Sequence, residues 1–428
     1  MISELRSYGD FSAQIYKRAR GGRLPTNGTI ELTHRCPLAC AHCYNNLPVG
    51  DAGARARELS TAEVFRIIDE MADAGCLWLL LTGGEILARR DFVEIYQHAK
   101  SRGLLVTLFT NGTQLTAELA DMLAEWRPFA VEITLYGRTR ETYERLTGVP
   151  GSFDRCMRGI RLLTERGLPL RLKTVAVSIN RHEVPQMQQF AEELGVEFKF
   201  DGMINARIDC SHSPLDVRLT PAEMVELDVL DPVRRAEWAE LASRARPVGA
   251  TRDKVYQCGG GINSFAIDPE GKMSICVLSH SDQFDLRQGS FKEGWEGFLA
   301  KVRDKSITRP TKCTDCHIRT LCSACAATSE LEHGDPEAPV EFFCEVAHLR
   351  ARVVGFTPPA HGDCAFCEGG AHHERLLRAV DSVRAGAGHA LRPAARASSL
   401  KVLSAASSSS CSSGGCGACG AAEGTQDR

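Results

Sequence analysis

The sequence predicts an α/β protein: a partial (β/α)6 TIM-like barrel, followed by a small loop-rich domain and a disordered tail. Three observations carry this expectation. Between residues 29 and 205, short apolar β-branched runs alternate with segments of helical period, the mark of βα units and a parallel sheet. From Cys258 to about Leu349 the apolar content is thin and cysteines crowd together, so inorganic cross-links would help hold that part. Beyond Pro358 the composition turns to Ser, Gly and Ala and includes SSSSCSSGGCGACGAAEG, a low-complexity stretch. These shifts place an N-terminal extension at 1–28, the barrel at 29–205, a connecting segment at 206–255, the loop-rich domain at 256–350 and the tail at 351–428.

The expected strands are TIELTH (29–34), LWLLLT (77–82), LLVTLFT (104–110), AVEITLY (130–136), LRLKTVAV (170–177) and VEFKFD (196–201). A helix starts at Ser60-Thr61, where Glu63 supplies an acidic first turn. Its apolar positions Val64, Phe65, Ile67, Ile68 and Met71 follow helical spacing, and Gly75 ends it. Gly103, Gly167 and Gly195 stop later helices just before strands. Six units are too few to close an eight-fold barrel, so an open barrel with a lateral mouth is expected, with chemistry at the C-terminal strand ends. The connecting segment carries one helix around Pro221 to Leu241, and the tail one from about His373 to Val383.

The balance of 51 Lys and Arg against 54 Asp and Glu gives a net charge of −3, with no dense basic run, which disfavours nucleic-acid binding. The opening MISELRSYGD lacks an apolar signal core, and no run approaches the roughly 18 apolar residues of a membrane span, so a cytoplasmic protein is expected. In a reducing compartment, 18 cysteines point to metal or redox chemistry rather than disulfides.

Directly after the first strand, Cys36, Cys40 and Cys43 form C-x3-C-x2-C on one loop. Three thiolates on a four-iron cubane leave one iron without a protein ligand, free to take a small chelating group. A zinc site completed by His34 or His42, or reduced core cysteines, remain open alternatives. The second strand ends in Gly83-Gly84-Glu85, where two glycines allow close backbone approach to a ligand and the carboxylate can take an ammonium group.

With the triplet after strand one, Gly83-Gly84-Glu85 after strand two and the six-unit alternation, the chain resembles radical S-adenosylmethionine (SAM) enzymes over about residues 25–350. The resemblance implies that Cys36, Cys40 and Cys43 hold a 4Fe-4S cluster that binds SAM and donates the electron for its cleavage to methionine and a 5'-deoxyadenosyl radical. It implies that Gly83, Gly84 and Glu85 hold the SAM amino group, that His42 lies near the adenine, and that Asn111 and Thr134 contact the ribose or methionine. An Asn-Gly turn and an ordinary strand threonine account for the last two equally well. Ile86 departs from the proline that often follows this motif in the family.

Further on, Cys258 and Cys276 flank Gly271, Cys313-x2-Cys316-x5-Cys322-x2-Cys325 follows, and Cys344 closes the array. A zinc ribbon would also use paired C-x2-C units. The array resembles the SPASM domain, which implies one or two auxiliary 4Fe-4S clusters: Cys313, Cys316, Cys322 and Cys344 on one, Cys258, Cys276 and Cys325 on the other. The two-residue gap between Cys322 and Cys325 is shorter than the family's, and the second set lacks a fourth cysteine. In the tail, His361, Cys364, Cys367, His372 and His373 could form a zinc knuckle, though the ligands are crowded. Cys411, Cys416 and Cys419 lie in Ser/Gly sequence that offers no supporting shell.

The expected function is a radical SAM/SPASM enzyme that modifies a peptide or protein side chain, with a separate recognition protein and a flavodoxin or ferredoxin as reductant. The alternatives are a small-molecule radical SAM oxidoreductase of cofactor or tetrapyrrole synthesis and a non-catalytic zinc or iron-sulfur electron-transfer protein. The sequence assigns no general acid or base, and names neither the substrate nor the oligomeric state.

Overall fold

The computed structural model describes residues 8–244 and 253–387. Contacts divide the chain into two units, one running Ser12–Arg218 with Gly260–Lys305, the other taking Leu219–Gly259 and the chain from Ser306 with the first residues up to Phe11.

In the first unit six parallel strands lie side by side in chain order: β1 (Asn27–Thr33), β2 (Trp78–Gly83), β3 (Leu105–Thr110), β4 (Ala130–Thr134), β5 (Leu170–Val175) and β6 (Glu197–Asp201). They are the six runs marked in the sequence. The register sorts their side chains into two rows. Ile30, Leu81, Leu108, Val131 and Leu170 stand opposite one another and are buried. Helices Phe92–Ser101, Ser152–Glu165 and Val184–Glu193 pack on β3, β5 and β6. The alternate row is polar: Glu31 opposite Thr82, Glu132 opposite Arg171, and Thr134 opposite Lys173. Apolar residues thus cement the layers, and charges line the other face of the sheet.

Among the described residues the sheet has nine strands rather than six. β7 (Ser264–Ile267) pairs parallel with β1, and β8 (Lys272–Ser274) and β9 (Phe284–Asp285) add antiparallel strands beyond it. The stretch expected as one loop-rich domain over 256–350 is therefore divided, and 260–305 belongs with the barrel. The reason is the edge of β1: its backbone groups need partners, and the apolar SFAI segment supplies them while burying Phe265, Ala266 and Ile267.

The helix expected at Ser60-Thr61 runs Thr61–Asp73 and opens with a capping box in which Ser60 and Glu63 each bind the other's backbone N–H. The single helix expected over 221–241 is two, Pro221–Leu230 and Pro232–Ser243. Pro232 forces Asp231 out of the helical region, and the Asp231 side chain then accepts from Val233 N and Arg234 N to restart the helix.

The second unit is helical and loop-rich. Asp228 is buried between Arg350 (2.8 Å) and Arg234 (2.6 Å), which hold its carboxyl below the usual range despite burial. Arg350 lies over the Trp238 ring and donates to the Leu321 carbonyl at 3.0 Å, fixing the backbone next to Cys322. The tail helix runs His373–Ala387 and buries Leu376, Val380 and Val383; Cys411, Cys416 and Cys419 lie outside the described residues. Among the described residues no helix is long and apolar enough to cross a membrane.

Candidate active site

The chain leaves β1 straight into the cysteine loop, where Arg35–Cys36 forms a short parallel pair with Leu47–Pro48. Cys36 and Cys40 are buried and Cys43 half-buried, packed with Leu38, Leu146, Val177 and Ile204. Burial pushes the Cys36 thiol up to about 12, with the charge of Glu85 adding to it. Burial also raises Cys40 and Cys43, and the other two sulfurs further disfavour a thiolate at Cys40. Bare thiolates are costly in this enclosure, whereas a bound polycationic centre would keep them ionised.

The donors around the sulfurs suit such a centre. Leu38 N (3.4 Å) and Asn111 Nδ2 (3.6 Å) donate to Cys36 Sγ, and Tyr136 donates to Cys40. The three sulfurs are not gathered as a single ion requires: among the described residues, the donors lying within 4.8 Å of one another are His348, His361, Cys364 and Cys367. A wider set fits a polynuclear cluster. Neither His34 nor His42 completes a zinc set with the triplet. His34 stands 3.5 Å from Glu31, and the His42 ring lies against Tyr136 with centroids 5.3 Å apart.

Several residues that fix this loop escaped the sequence reading. Glu31 Oε1 accepts from Tyr44 (2.9 Å) and Asn45 Nδ2 (2.6 Å), gripping the residues after Cys43. Arg207, in the loop after β6, donates to Cys43 O at 3.1 Å and Asn46 O at 3.0 Å. Arg35 makes a two-pronged ion pair with Glu58, at 2.8 and 2.9 Å. An Arg two residues beyond a strand gives no signal of a partner so distant in sequence.

Gly83 and Gly84 are required by the protein's own backbone. Gly83 has φ +130°, and a Cβ there would lie 2.2 Å from the Thr33 carbonyl oxygen. A Cβ on Gly84 would lie 2.5 Å from His34 O and 2.6 Å from Arg35 O. The approach lets Glu85 N donate to Arg35 O at 3.0 Å, tying the end of β2 to the cysteine loop. The Glu85 carboxylate turns inward, accepting from Thr110 Oγ1 (2.7 Å), Asn111 N (2.8 Å) and Leu87 N (3.1 Å). It thereby aims Asn111 at Cys36. Burial raises the Glu85 carboxyl, and these donors counter the shift.

The enclosure of His42 lowers it to about 4, so its imidazole is neutral, and its Nδ1 is buried without a partner. Thr134 ends β4, half-buried beside Lys173. On the same polar row Lys173 lies 3.5 Å from Glu132 and against the Phe109 ring, and burial lowers it to about 7.

In the second unit Cys313, Cys316, Cys322 and Cys344 come together. Cys344 hydrogen-bonds Cys313, and Cys322 feels the charges of both Cys316 and Cys313. Cys258 and Cys325 also influence one another in that unit, while Cys276 follows β8 in the barrel unit.

Residues 30–191 match the family model of the Radical SAM superfamily. The PqqA peptide cyclase of Rhodopseudomonas palustris is 34% identical over 356 residues, spanning 77% of this chain and 89% of the relative. The chain belongs to the radical SAM superfamily. A radical SAM enzyme with a SPASM-type C-terminal region accordingly uses a 4Fe-4S cluster and SAM, and the buried triplet with its N–H donors fits the cluster. The AdoMet-dependent heme synthase of Methanosarcina barkeri is 29% identical over 71% of this chain and 92% of its own length. SuiB of Streptococcus suis, crystallised with SAM, has the same fold, with a TM-score of 0.56 at 15% identity over 79% of this chain and 81% of SuiB.

Proposed function

We propose that this radical SAM enzyme modifies a side chain of a peptide substrate, with Cys36, Cys40 and Cys43 holding the SAM-binding 4Fe-4S cluster. When bound, the cluster and SAM supply a 5'-deoxyadenosyl radical able to take a hydrogen atom from an unactivated carbon. The residues of the chain do the positioning. Asn111 and Leu38 N point N–H groups at Cys36 Sγ, and Arg207 and Glu31 brace the loop on its far side. The Gly83-Gly84 turn would receive the SAM amino group and neutral His42 its adenine, and Asn111 and Thr134 would contact its ribose or methionine.

The observation that carries the peptide reading is the similarity to a peptide cyclase along 89% of that relative. Cys313, Cys316, Cys322 and Cys344 would hold one auxiliary 4Fe-4S cluster, and Cys258 and Cys325 of the same unit would serve a second. A flavodoxin or ferredoxin of the reducing cytoplasm would deliver electrons, and a separate recognition protein would present the peptide. The similarity to a heme synthase favours one second reading, oxidation of a small tetrapyrrole-like molecule.

Deuterium transfer separates the two. Short peptides encoded beside this gene, made uniformly deuterated, should place deuterium in 5'-deoxyadenosine and emerge with an altered mass. Transfer from a deuterated tetrapyrrole, with none from any peptide, would reverse the assignment.

A further inference from the structure

The second unit holds a set of four buried metal donors that is distinct from the cysteine triplet and adjoins the Cys313, Cys316, Cys322 and Cys344 group, since His361 also hydrogen-bonds Cys316. His348, His361, Cys364 and Cys367 are all buried, and their donor atoms lie within 4.8 Å of one another. His348 Nε2 is 3.7 Å from Cys364 Sγ and 3.5 Å from Cys367 Sγ, and His361 Nδ1 is 3.4 Å from Cys367 Sγ. A tetrahedral zinc ion, with bonds of about 2.3 Å to sulfur and about 2.0–2.1 Å to nitrogen, sets nitrogen and sulfur donors about 3.5 Å apart.

The surroundings are those of a ligand set. His348 Nδ1 lies 2.8 Å from the Cys344 carbonyl oxygen. That acceptor places the ring proton on Nδ1 and leaves the Nε2 lone pair facing the two sulfurs, the arrangement usual for a histidine that binds a metal. Cys367 N donates to Cys364 O at 3.2 Å and Gly370 N to Cys367 O at 2.9 Å, folding the C-x2-C segment into a tight knuckle. Gly370 has no room for a side chain there, since a Cβ would lie 2.4 Å from Ala365 O. Phe366 and the His361 ring lie against His348, each with centroids 5.7 Å apart, and all four donor residues are buried.

We propose that His348, His361, Cys364 and Cys367 bind one structural zinc ion. The set differs from the crowded one visible in the sequence. His372 is exposed, and His373 Nδ1 is turned to the Phe366 carbonyl at 3.2 Å, so neither joins it. The replacement, His348, comes from helix Glu341–Val353, one turn after Cys344. The ion therefore ties the loop ahead of helix His373–Ala387 to the helix that carries Cys344. Two soft thiolates with two imidazoles, all buried, select zinc in a structural role.

The test is metal analysis and zinc-edge X-ray absorption on the full chain purified without oxygen. The expected result is one zinc per chain with two sulfur neighbours near 2.3 Å and two nitrogen neighbours near 2.0–2.1 Å. A Cys364→Ser, Cys367→Ser double variant should lose the zinc and keep the iron bound to the triplet, and His372→Ala should keep both. Zinc absent from the wild-type protein, zinc in an all-sulfur shell, or iron in this site would each overturn the proposal. Should the double variant fail to fold, the wild-type absorption spectrum decides alone.

Discussion

Lys173 shows how one side chain on the polar strand row ties charge to stability. Burial lowers it to about 7 from the usual 10.5, only partly offset by Glu132. Between those values the unfolded chain holds the proton more firmly than the folded one, so this group adds stability as pH rises from about 7 towards 10.5, and its full cost is felt below about 7. Denaturation midpoints of wild type and Lys173→Met, compared across that range under anaerobic conditions, should diverge in favour of wild type as pH rises; a constant difference would show that Lys173 is not enclosed as described. At this scale the sequence disclosed the groups with a fixed local spacing, Cys36, Cys40 and Cys43 above all. It did not disclose that Asn111 serves a cysteine sulfur, that Glu85 faces inward, or that Arg207 clamps the loop. Each depends on a partner brought near only by the completed sheet.

Among the elements, the junction of β1 and β2 carries the site. Gly84 sits where the two backbones meet, and the hydrogen bond from Glu85 N to Arg35 O depends on that closeness. In Gly84→Ala the new Cβ meets carbonyl groups rather than a flexible side-chain end, so the strand ends must part. The expected cost is about 1–3 kcal/mol, the usual range for overpacking, with markedly less iron retained by the triplet loop. Denaturant titration and iron analysis check both, and a variant with wild-type stability and iron content would contradict this role. The six parallel strands were legible because buried parallel strands read as continuous apolar runs. Strands β7 to β9 were not, because two to four residues give no periodicity and β7 finds its place only against the far edge of β1. The break at Pro232 was legible in principle, since proline with a preceding aspartate marks a new helix start.

For the molecule as a whole, composition and cysteine spacing pointed to the chemistry, and the sheet supplies its geometry: an apolar row against the helices, a charged row opposite, and the thiols at one strand end. The division into units was the part hidden from sequence. The segment 260–305 has turn-rich composition like its neighbours, yet hydrogen-bonding demand at the β1 edge assigns it to the barrel. The account stands on cleavage of SAM at the triplet. Protein reconstituted with iron and sulfide without oxygen, reduced with dithionite and given SAM, should release 5'-deoxyadenosine, and Cys40→Ala, carried through the same treatment, should release none. Wild-type protein that stays colourless, holds zinc in the triplet loop and yields no 5'-deoxyadenosine would contradict it.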